Sequence, residues 1–278
     1  MNENPIISLV IPVLNEVESI ESLFKAVKNS LSDYNYEMIL VDDGSTDGTV
    51  EKARSLLDSR VRVIELTKRF GQSTAMAAGI DHAQGRYIVT MDGDLQNDPL
   101  DIPIMLKKLE DENWDVVMGN RQKREDKTIR KIPSKIANSL IRKMTGVYIS
   151  DYGCTLKVFR ARFARNLGLY GEMHRFIPVL AFLQGARITQ MKVRHHSRKF
   201  GKSKYSLNRT FKVMSDLILI VFIQKYLSRP MHLFGIVGLV TFLIGVLLNL
   251  YMLFIKLMGE DIWGKPLLLL GIFLVLGG

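Results

Sequence analysis

Two carboxylates stand one residue apart directly after an apolar run of the sequence. Asp92 and Asp94 follow residues 86–91, which are typical of a buried strand, and Gln96 stands two residues further on. Two like charges held this close at a strand end are costly unless a cation lies between them. Oxygen ligands of this kind suit Mg²⁺ or Mn²⁺, which typically also bind substrate phosphates. Asp-Gly is ordinary turn chemistry as well, so this pattern alone predicts a metal site and a polar turn equally.

Polar clusters end two other predicted strands. Residues 42–47 (DDGSTD) end the second strand, and Asn15 and Glu16 follow the first. Ser45 or Asp47 could instead cap the helix that comes next. Three polar strand ends are poorly explained by chance, and together they indicate one ligand site.

Hydrophobic periodicity predicts the strands and helices that would hold these clusters together. The predicted strands cover residues 6–11, 37–41, 61–66, 86–91 and 115–119, and the predicted helices cover residues 18–31, 46–57, 73–83 and 99–109. Strands separated by helices imply parallel crossovers, and ligands bind such sheets beyond the carboxyl ends of the strands. The predicted fold class is therefore α/β, with a Rossmann-like, open and mostly parallel sheet.

The basic net charge indicates which classes of partner the protein could bind. The formal net charge of +10 over 278 residues suits nucleic acid, an anionic membrane surface or phosphate-bearing substrates. Basic runs cover residues 121–143 and 198–212; either could be a solvated face, but the second directly precedes membrane-type sequence. The single cysteine, Cys154, excludes an internal disulfide and fits a reducing compartment.

The last part of the chain is typical of a membrane region. Residues 231–257 carry no charge until Lys256 and exceed the roughly 20 residues that a spanning helix needs. A second apolar run from residue 267 is too short to cross, so we expect the natural protein to continue and complete a second span. The polar N-terminus lacks a cleavable signal peptide. We therefore expect a cytosolic catalytic domain at residues 1–210, an interfacial helix at 211–229 and a transmembrane region at 230–278, giving a multi-pass protein of the inner (plasma) membrane.

Three segments carry a family resemblance: VIPVLNE at residues 10–16, VDDGS at 41–45 and MDGDLQ at 91–96. They resemble the signature of family 2 inverting glycosyltransferases with the GT-A fold. The DLQ ending is similar to the polyprenyl-phosphate branch, which includes dolichyl-phosphate mannose synthases and bacterial undecaprenyl-phosphate glucosyl and aminoarabinose (4-deoxy-4-formamido-arabinose) transferases. Further matches at residues 120–121, 130–131, 151–154, 176–178 and 200–205 extend the resemblance over about the first 210 residues.

The resemblance implies a role for each matching residue. The nucleotide pocket would comprise Pro12, Leu14, Asn15, Glu16, Asp43, Gly71, Asp92 and Gly93, with Asp43 on the base. Asp92, Asp94 and Gln96 would hold Mg²⁺ or Mn²⁺. The acceptor phosphate would contact Arg121, Arg130, Lys131, Ser134, Arg198 and Lys204. The residues closest to the chemistry would be Asp94, Asp151 and Arg121.

This sequence departs from the family pattern at two places. Gly93 stands where the family often has alanine, a change expected to matter little. Some relatives carry a carboxylate near Cys154 or Thr155, whereas here the nearest one is Asp151. A phosphate monoester is already anionic at neutral pH and needs no strong base. We hypothesise that Asp151 orients the acceptor or the sugar, although a buried structural role has similar weight.

The implied function is inverting transfer of a sugar, expected to be UDP-linked, to undecaprenyl phosphate on the cytosolic face, for cell-envelope glycan or lipid modification. A processive polysaccharide synthase is an alternative, but its Gln-x-x-Arg-Trp-type motif is absent. A membrane-tethered nucleic-acid or phosphate-binding module is another, although no nucleic-acid motif is present and nucleic acid is not an expected partner. A nucleotidyltransferase would usually need a glycine-rich phosphate loop near the N-terminus. Homo-oligomerisation is left open.

The histidines are not expected to bind the metal. His195 and His196 are adjacent, so on a strand they would face opposite sides and could not share one metal. A surface or hydrogen-bonding role is favoured for both and for His174.

Overall fold

The computed structural model describes residues 5–56, 58–121, 142–143, 145–197, 216–220, 222–223, 226 and 229–278. The chain divides into two compact units, Met1–Leu217 and Ile218–Gly278. The first unit carries the α/β sheet, and the second is helical where it is described.

The first unit is built on a seven-stranded sheet. Its strands are β1 (Ile7–Val13), β2 (Tyr36–Asp42), β3 (Val61–Glu65), β4 (Tyr87–Thr90), β5 (Val116–Arg121), β6 (Lys157–Arg160) and β7 (Ile188–Val193). Their order across the sheet is β3-β2-β1-β4-β6-β5-β7. The pairs β1–β2, β1–β4, β2–β3 and β5–β7 are parallel, whereas β6 is antiparallel to both β4 and β5. The predicted open, mostly parallel sheet is confirmed.

The helices of this unit are α1 (Val17–Ser30), α2 (Thr49–Ser55), α3 (Gln72–His82), α4 (Asp101–Asp111), α5 (Ala161–Ala164) and α6 (Ile177–Leu183), with a 3-10 turn at Met173–Arg175. The strands β1 and β2 are almost entirely buried, as expected for parallel strands covered on both faces. Helix α3 packs closely on β1, because a Cβ on Gly79 would lie 2.4 Å from Val10 Cγ1. This packing fixes the N-terminus of α3 at the carboxyl ends of the strands.

Two strands, β6 and β7, were not predicted. Strand β6 is only four residues long and begins with the charged Lys157, so neither its length nor its composition indicates a buried strand. Strand β7 has only one fully buried residue, Val193, and therefore lacks a strong apolar signal. Because β6 lies between β4 and β5, the carboxyl ends of β4 and β5 lie on either side of the first residue of β6.

Helix α2 begins three residues later than predicted. The carboxylate of Asp47 accepts hydrogen bonds from the backbone N–H of Thr49 (3.0 Å) and from its hydroxyl. Gly48 has φ of 87°, a left-handed conformation that suits glycine. The segment after β2 is therefore a turn, which leaves its polar groups at the end of the sheet.

The second unit contains α7 (Met231–Leu257) and α8 (Pro266–Gly277). By length and composition, α7 is the one helix in the described part of the chain that could cross a membrane, with mean hydropathy of 2.5. The two helices pack closely, since a Cβ on Gly245 would lie 2.8 Å from the Gly271 carbonyl oxygen. Helical residues at 216–220, 222–223 and 226 lie in the segment predicted as interfacial, and their position at a membrane stays a prediction.

Candidate active site at the carboxyl ends of the strands

The predicted acidic turn directly follows β4. Asp92 and Asp94 are both partly buried, and Gly93 between them is buried. A Cβ on Gly93 would lie 2.6 Å from Val13 Cγ1. The turn therefore presses on the end of β1, and an alanine at position 93 would have to displace Val13, which is buried and stiff at χ1. That glycine in place of the family's alanine matters little stays a prediction.

Asp92 lies in a setting that suits a cation. Burial raises the pKa of Asp92 to about 6, and the neighbouring charge of Asp94 adds to this rise. A hydrogen bond from Thr155 and the charges of Lys157 and Arg121 act in the opposite direction. Among the described residues no cluster of three or more His, Cys, Asp or Glu side chains could hold a metal. The candidate ligands are thus the two carboxylates with the Gln96 amide, a donor set that fits Mg²⁺ or Mn²⁺.

Gln72, the first residue of α3, contacts the acidic turn. Its Nε2 donates a 2.7 Å hydrogen bond to Asp92 Oδ1. The preceding loop is held by Asp43, whose carboxylate accepts backbone hydrogen bonds from Phe70 (2.7 Å) and Gly71 (2.9 Å). The buried Asp43 side chain thereby connects the end of β2 to the start of α3. Each carboxylate oxygen can accept further hydrogen bonds, so these backbone contacts do not prevent Asp43 from binding a nucleotide base. That contact stays a prediction.

The loops after β1 and β2 are joined by reciprocal hydrogen bonds. The backbone N–H of Asn15 donates to Ser45 Oγ (2.8 Å), and the Asn15 side-chain oxygen accepts from the backbone N–H of Thr46 (2.8 Å). The backbone N–H of Glu16 donates to Thr49 Oγ1 (2.9 Å). Pro12 is on β1 and Leu14 directly follows it. The three polar strand ends therefore lie at one edge of the sheet, as predicted.

Arg121 and Asp151 form an ion pair on the other side of β6. Arg121 is the last residue of β5, two residues beyond the predicted end of that strand. Its Nε and Nη2 donate to Asp151 Oδ2 (2.6 Å) and Oδ1 (2.8 Å), and the two side chains are 12% and 8% exposed. Two charge-assisted hydrogen bonds fix the orientation of both groups, and whether Asp151 positions a ligand or only supports the fold stays a prediction.

Lys157 is a buried cation that the sequence analysis did not single out. It is 1% exposed, and its ammonium donates a hydrogen bond to the Cys154 carbonyl oxygen. Burial lowers the pKa of Lys157 to about 8, while the nearby charges of Asp92 and Asp151 act to raise it. The lysine therefore lies within electrostatic reach of both acidic residues.

The histidines take hydrogen-bonding roles. His174 is buried, not on the surface, and its Nδ1 lies 2.9 Å from the Ser73 hydroxyl on α3. His195 pairs with Asn97 in an isolated β-bridge, and the backbone N–H of His196 donates to the Gln96 carbonyl (2.8 Å). These contacts tie the segment after β7 to the end of the acidic turn.

Several predicted acceptor-side residues lie outside the described part of the chain: Arg130, Lys131, Ser134, Arg198 and Lys204. Of the predicted acceptor-phosphate residues, the described part of the chain contains Arg121.

Comparisons with known proteins agree on one family and one fold. A model described as "Glycosyl transferase family 2" matches residues 8–168. The dodecaprenyl-phosphate galacturonate synthase of Rhizobium johnstonii is 46% identical over 97% of this chain and 82% of its own length. The undecaprenyl-phosphate 4-deoxy-4-formamido-L-arabinose transferase of Proteus mirabilis is 36% identical over 92% of this chain and 78% of its own length.

Solved structures add evidence for the fold alone. Glucosyl-3-phosphoglycerate synthase from Mycobacterium tuberculosis, in complex with Mn²⁺, UDP and phosphoglyceric acid, has a TM-score of 0.59 at 19% identity, covering 79% of this chain and 78% of its own. A mannosyltransferase from Pyrobaculum calidifontis, in complex with GDP-Man and Mn²⁺, has a TM-score of 0.55 at 19% identity, covering 80% and 64%.

Proposed function

The chain belongs to glycosyl transferase family 2, and we propose that it transfers a sugar from a nucleotide donor to a polyprenyl phosphate. One observation carries this proposal. The acidic turn after β4 and the ion-paired Arg121 at the end of β5 flank the inserted β6, close enough for the Arg121 charge to lower the pKa of Asp92. This arrangement supports a donor-diphosphate site with a cation for the acceptor phosphate beside it.

The donor would bind across the joined loops after β1 and β2. Pro12, Leu14, Asn15, Glu16 and Asp43 belong to this edge, and the hydrogen bonds between the loops support a preorganised pocket. Gly71 has open space where a Cβ would point, which supports a close approach of the nucleotide to its backbone. Gly93 would border the pocket through its place in the acidic turn. We propose that the sugar donor is UDP-linked.

A divalent cation, Mg²⁺ or Mn²⁺, would be held by Asp92, Asp94 and Gln96. When bound, it would supply Lewis-acid stabilisation of the departing nucleoside diphosphate. Gln72 would keep the Asp92 carboxylate oriented through its 2.7 Å hydrogen bond. The raised pKa of Asp92 supports this assignment, because two carboxylates so placed are stabilised in their ionised form by a cation.

On the acceptor side, Arg121 would hold the lipid phosphate, together with Arg130, Lys131, Ser134, Arg198 and Lys204. Asp151 would fix the Arg121 guanidinium through its two hydrogen bonds. An anionic phosphate oxygen attacks the anomeric carbon without a strong base, so the work of these residues is positioning and charge neutralisation. The family resemblance implies inversion at that carbon.

Helix α7 would anchor the enzyme in the membrane that contains its lipid acceptor. Its 27 residues span about 40 Å at about 1.5 Å per residue, more than the roughly 30 Å hydrocarbon core. The basic run at residues 198–212 would then lie on the cytoplasmic side with the catalytic unit.

The sugar is proposed as a class. The two relatives are named for galacturonate and for 4-deoxy-4-formamido-L-arabinose, which are a uronic acid and a modified pentose. A donor screen tests this: the full chain in nanodiscs with undecaprenyl phosphate is incubated with radiolabelled UDP-linked uronic acids, pentoses and hexoses. Label is expected in the organic phase from a uronic acid or a pentose. Absence of organic-phase label from every donor would overturn the proposed function.

A further inference from the structure

Five arginines line one cavity at the amino-terminal edge of the sheet, the edge opposite the acidic turn. We call this the arginine cavity; it measures about 850 Å³, and its arginines are Arg86, Arg160, Arg162, Arg165 and Arg187. They are the residue before β4, the last residue of β6, one residue of α5 and the residue after it, and the residue before β7. The antiparallel β6 places Arg160 at this edge, beside the starts of its neighbours.

Asp115 is the one carboxylate that lines the arginine cavity. It is buried and accepts hydrogen bonds from the Arg187 backbone N–H (3.0 Å) and from Arg162 Nη2 (3.0 Å). Burial acts to raise its pKa, but these hydrogen bonds hold the pKa of Asp115 below its usual range. The carboxylate is thus ionised, and it neutralises only one of the five guanidinium charges.

The guanidinium groups are oriented but retain unused N–H donors. The Arg86 guanidinium lies over the Tyr87 ring at 5.3 Å, and within the described residues no hydrogen bond from this side chain is formed, although the Arg86 backbone carbonyl accepts one from the Ala161 N–H. Arg162 lies over the Phe163 ring at 4.6 Å, and its side chain is 71% exposed. Arg165 donates to the Ala83 carbonyl at 2.9 Å. Since a guanidinium carries five N–H donors, most of the donors on these three side chains are available to a ligand.

We propose that the arginine cavity binds a phosphate-bearing anion. Guanidinium forks match phosphate oxygens in a bidentate geometry, and several of them around one cavity suit a ligand with more than one anionic oxygen group. The volume lies within the range of about 300–1,000 Å³ that is usual for small-molecule sites. A soluble phosphate compound and the phosphate headgroup of an anionic lipid share this chemistry. The site is independent of the proposed sugar transfer, because it lies at the other edge of the sheet.

Binding of inorganic pyrophosphate to the full chain tests the proposal. The chain is placed in phosphatidylcholine nanodiscs with a chelator, and affinity is measured by isothermal titration calorimetry. The variant Arg86→Gln/Arg162→Gln is expected to bind at least tenfold more weakly than the wild type. The control Arg54→Gln/Arg60→Gln removes two exposed or partly exposed arginines outside the cavity, and its affinity should equal that of the wild type.

The single variant Arg86→Gln serves as a check for misfolding, since the Arg86 side chain makes only a ring contact in the described residues and its backbone hydrogen bond is unchanged by the substitution. It should also weaken binding while its thermal unfolding matches that of the wild type. Undetectable pyrophosphate binding by the wild type, or equal binding by the cavity variant and the control, would overturn the proposal.

A second arm identifies the source of the phosphate. The titration is repeated in phosphatidylglycerol nanodiscs, where the residual binding of the cavity variant reports the general repulsion by the anionic bilayer. If the pyrophosphate affinity of the wild type falls more than that of the cavity variant on changing to phosphatidylglycerol, the lipid headgroup competes for the cavity. This result would support the proposal with a lipid headgroup as the ligand. If the pyrophosphate affinity of the wild type falls only as much as the general repulsion predicts, the lipid headgroup does not compete. This result would support the proposal with a soluble phosphate compound as the ligand.

Discussion

Arg121 and Asp151 face each other across two hydrogen bonds of 2.6 Å and 2.8 Å, although 30 positions separate them in the chain. Arg121 ends β5, and Asp151 stands in the segment that leads to β6. Both side chains are largely buried, so each compensates for the charge of the other. The pair supports a positioning role for Asp151, next to the cation that is proposed to meet the acceptor phosphate.

Asp151→Asn should retain turnover while weakening acceptor binding. The amide keeps one acceptor oxygen for Arg121 but loses the charge, so we expect KM for polyprenyl phosphate to rise about tenfold, equivalent to about 1.4 kcal/mol. The measurement is steady-state transfer over a range of acceptor concentrations and pH. Arg121→Lys, which keeps the charge but not the two-bond fork, should change KM in the same direction. Complete loss of turnover in a folded Asp151→Asn protein would instead identify an essential base.

Gly93→Ala should destabilise the protein. The new methyl group would lie 2.6 Å from Val13 Cγ1 in a buried environment, and such overpacking typically costs about 1–3 kcal/mol. Thermal unfolding measures the effect. The double variant Gly93→Ala/Val13→Ala makes room for the methyl group, so the two substitutions should cost less together than the sum of their separate effects. Additive effects would contradict the close contact.

Gln72→Ala should weaken the response to the metal. Losing the 2.7 Å hydrogen bond frees the Asp92 carboxylate to rotate. We expect the Mn²⁺ concentration for half-maximal transfer to rise about tenfold, since a hydrogen bond to a charged group contributes about 1.5–3 kcal/mol and about 1.4 kcal/mol is a factor of ten. Gln184→Ala removes a side-chain hydrogen bond to the Asn166 carbonyl, far along the chain from the acidic turn, and serves as the control. An unchanged Mn²⁺ response in Gln72→Ala would show that this contact does not position a metal ligand.

Lys157 should give stability a distinct pH dependence. Its folded-state pKa of about 8 lies below the ordinary 10.5, so between these values the unfolded chain binds more protons than the folded one. Stability therefore rises with pH across this window, by about 3 kcal/mol in total for a shift of this size. Thermal unfolding from pH 7 to pH 10 should show wild type gaining stability relative to Lys157→Met. A constant difference between the two proteins would contradict the buried, charged lysine.

The sequence was sufficient to predict the acidic turn and the convergence of the strand ends. Alternating strands and helices imply parallel strands, and the carboxyl ends of parallel strands necessarily share one edge. Asn15, Asp43 and Asp92 could therefore be assigned to one site from their positions alone. The apolar run that became α7 was equally clear, because its length and lack of charge leave few alternatives.

The pairing of Arg121 with Asp151 and the burial of Lys157 could not be predicted in the same way. Both depend on the segment that ends in β6, a four-residue strand that pairs antiparallel with β4 and β5. The contact of Gln72 with Asp92 similarly requires the N-terminus of α3 to lie beside the acidic turn, a tertiary placement made through Gly79. Local propensity carries no information on such contacts.

The most direct test of the central claim compares wild type with Asp94→Ala in transfer from a UDP-sugar that the wild type accepts to undecaprenyl phosphate. We predict organic-phase label from the wild type that requires Mn²⁺ or Mg²⁺ and disappears with a chelator, and none above background from Asp94→Ala. Asp81→Ala, which removes an exposed carboxylate from the far end of α3, should transfer like the wild type. Chelator-sensitive transfer by Asp94→Ala at the wild-type rate would contradict the assignment of the metal and donor site to the acidic turn.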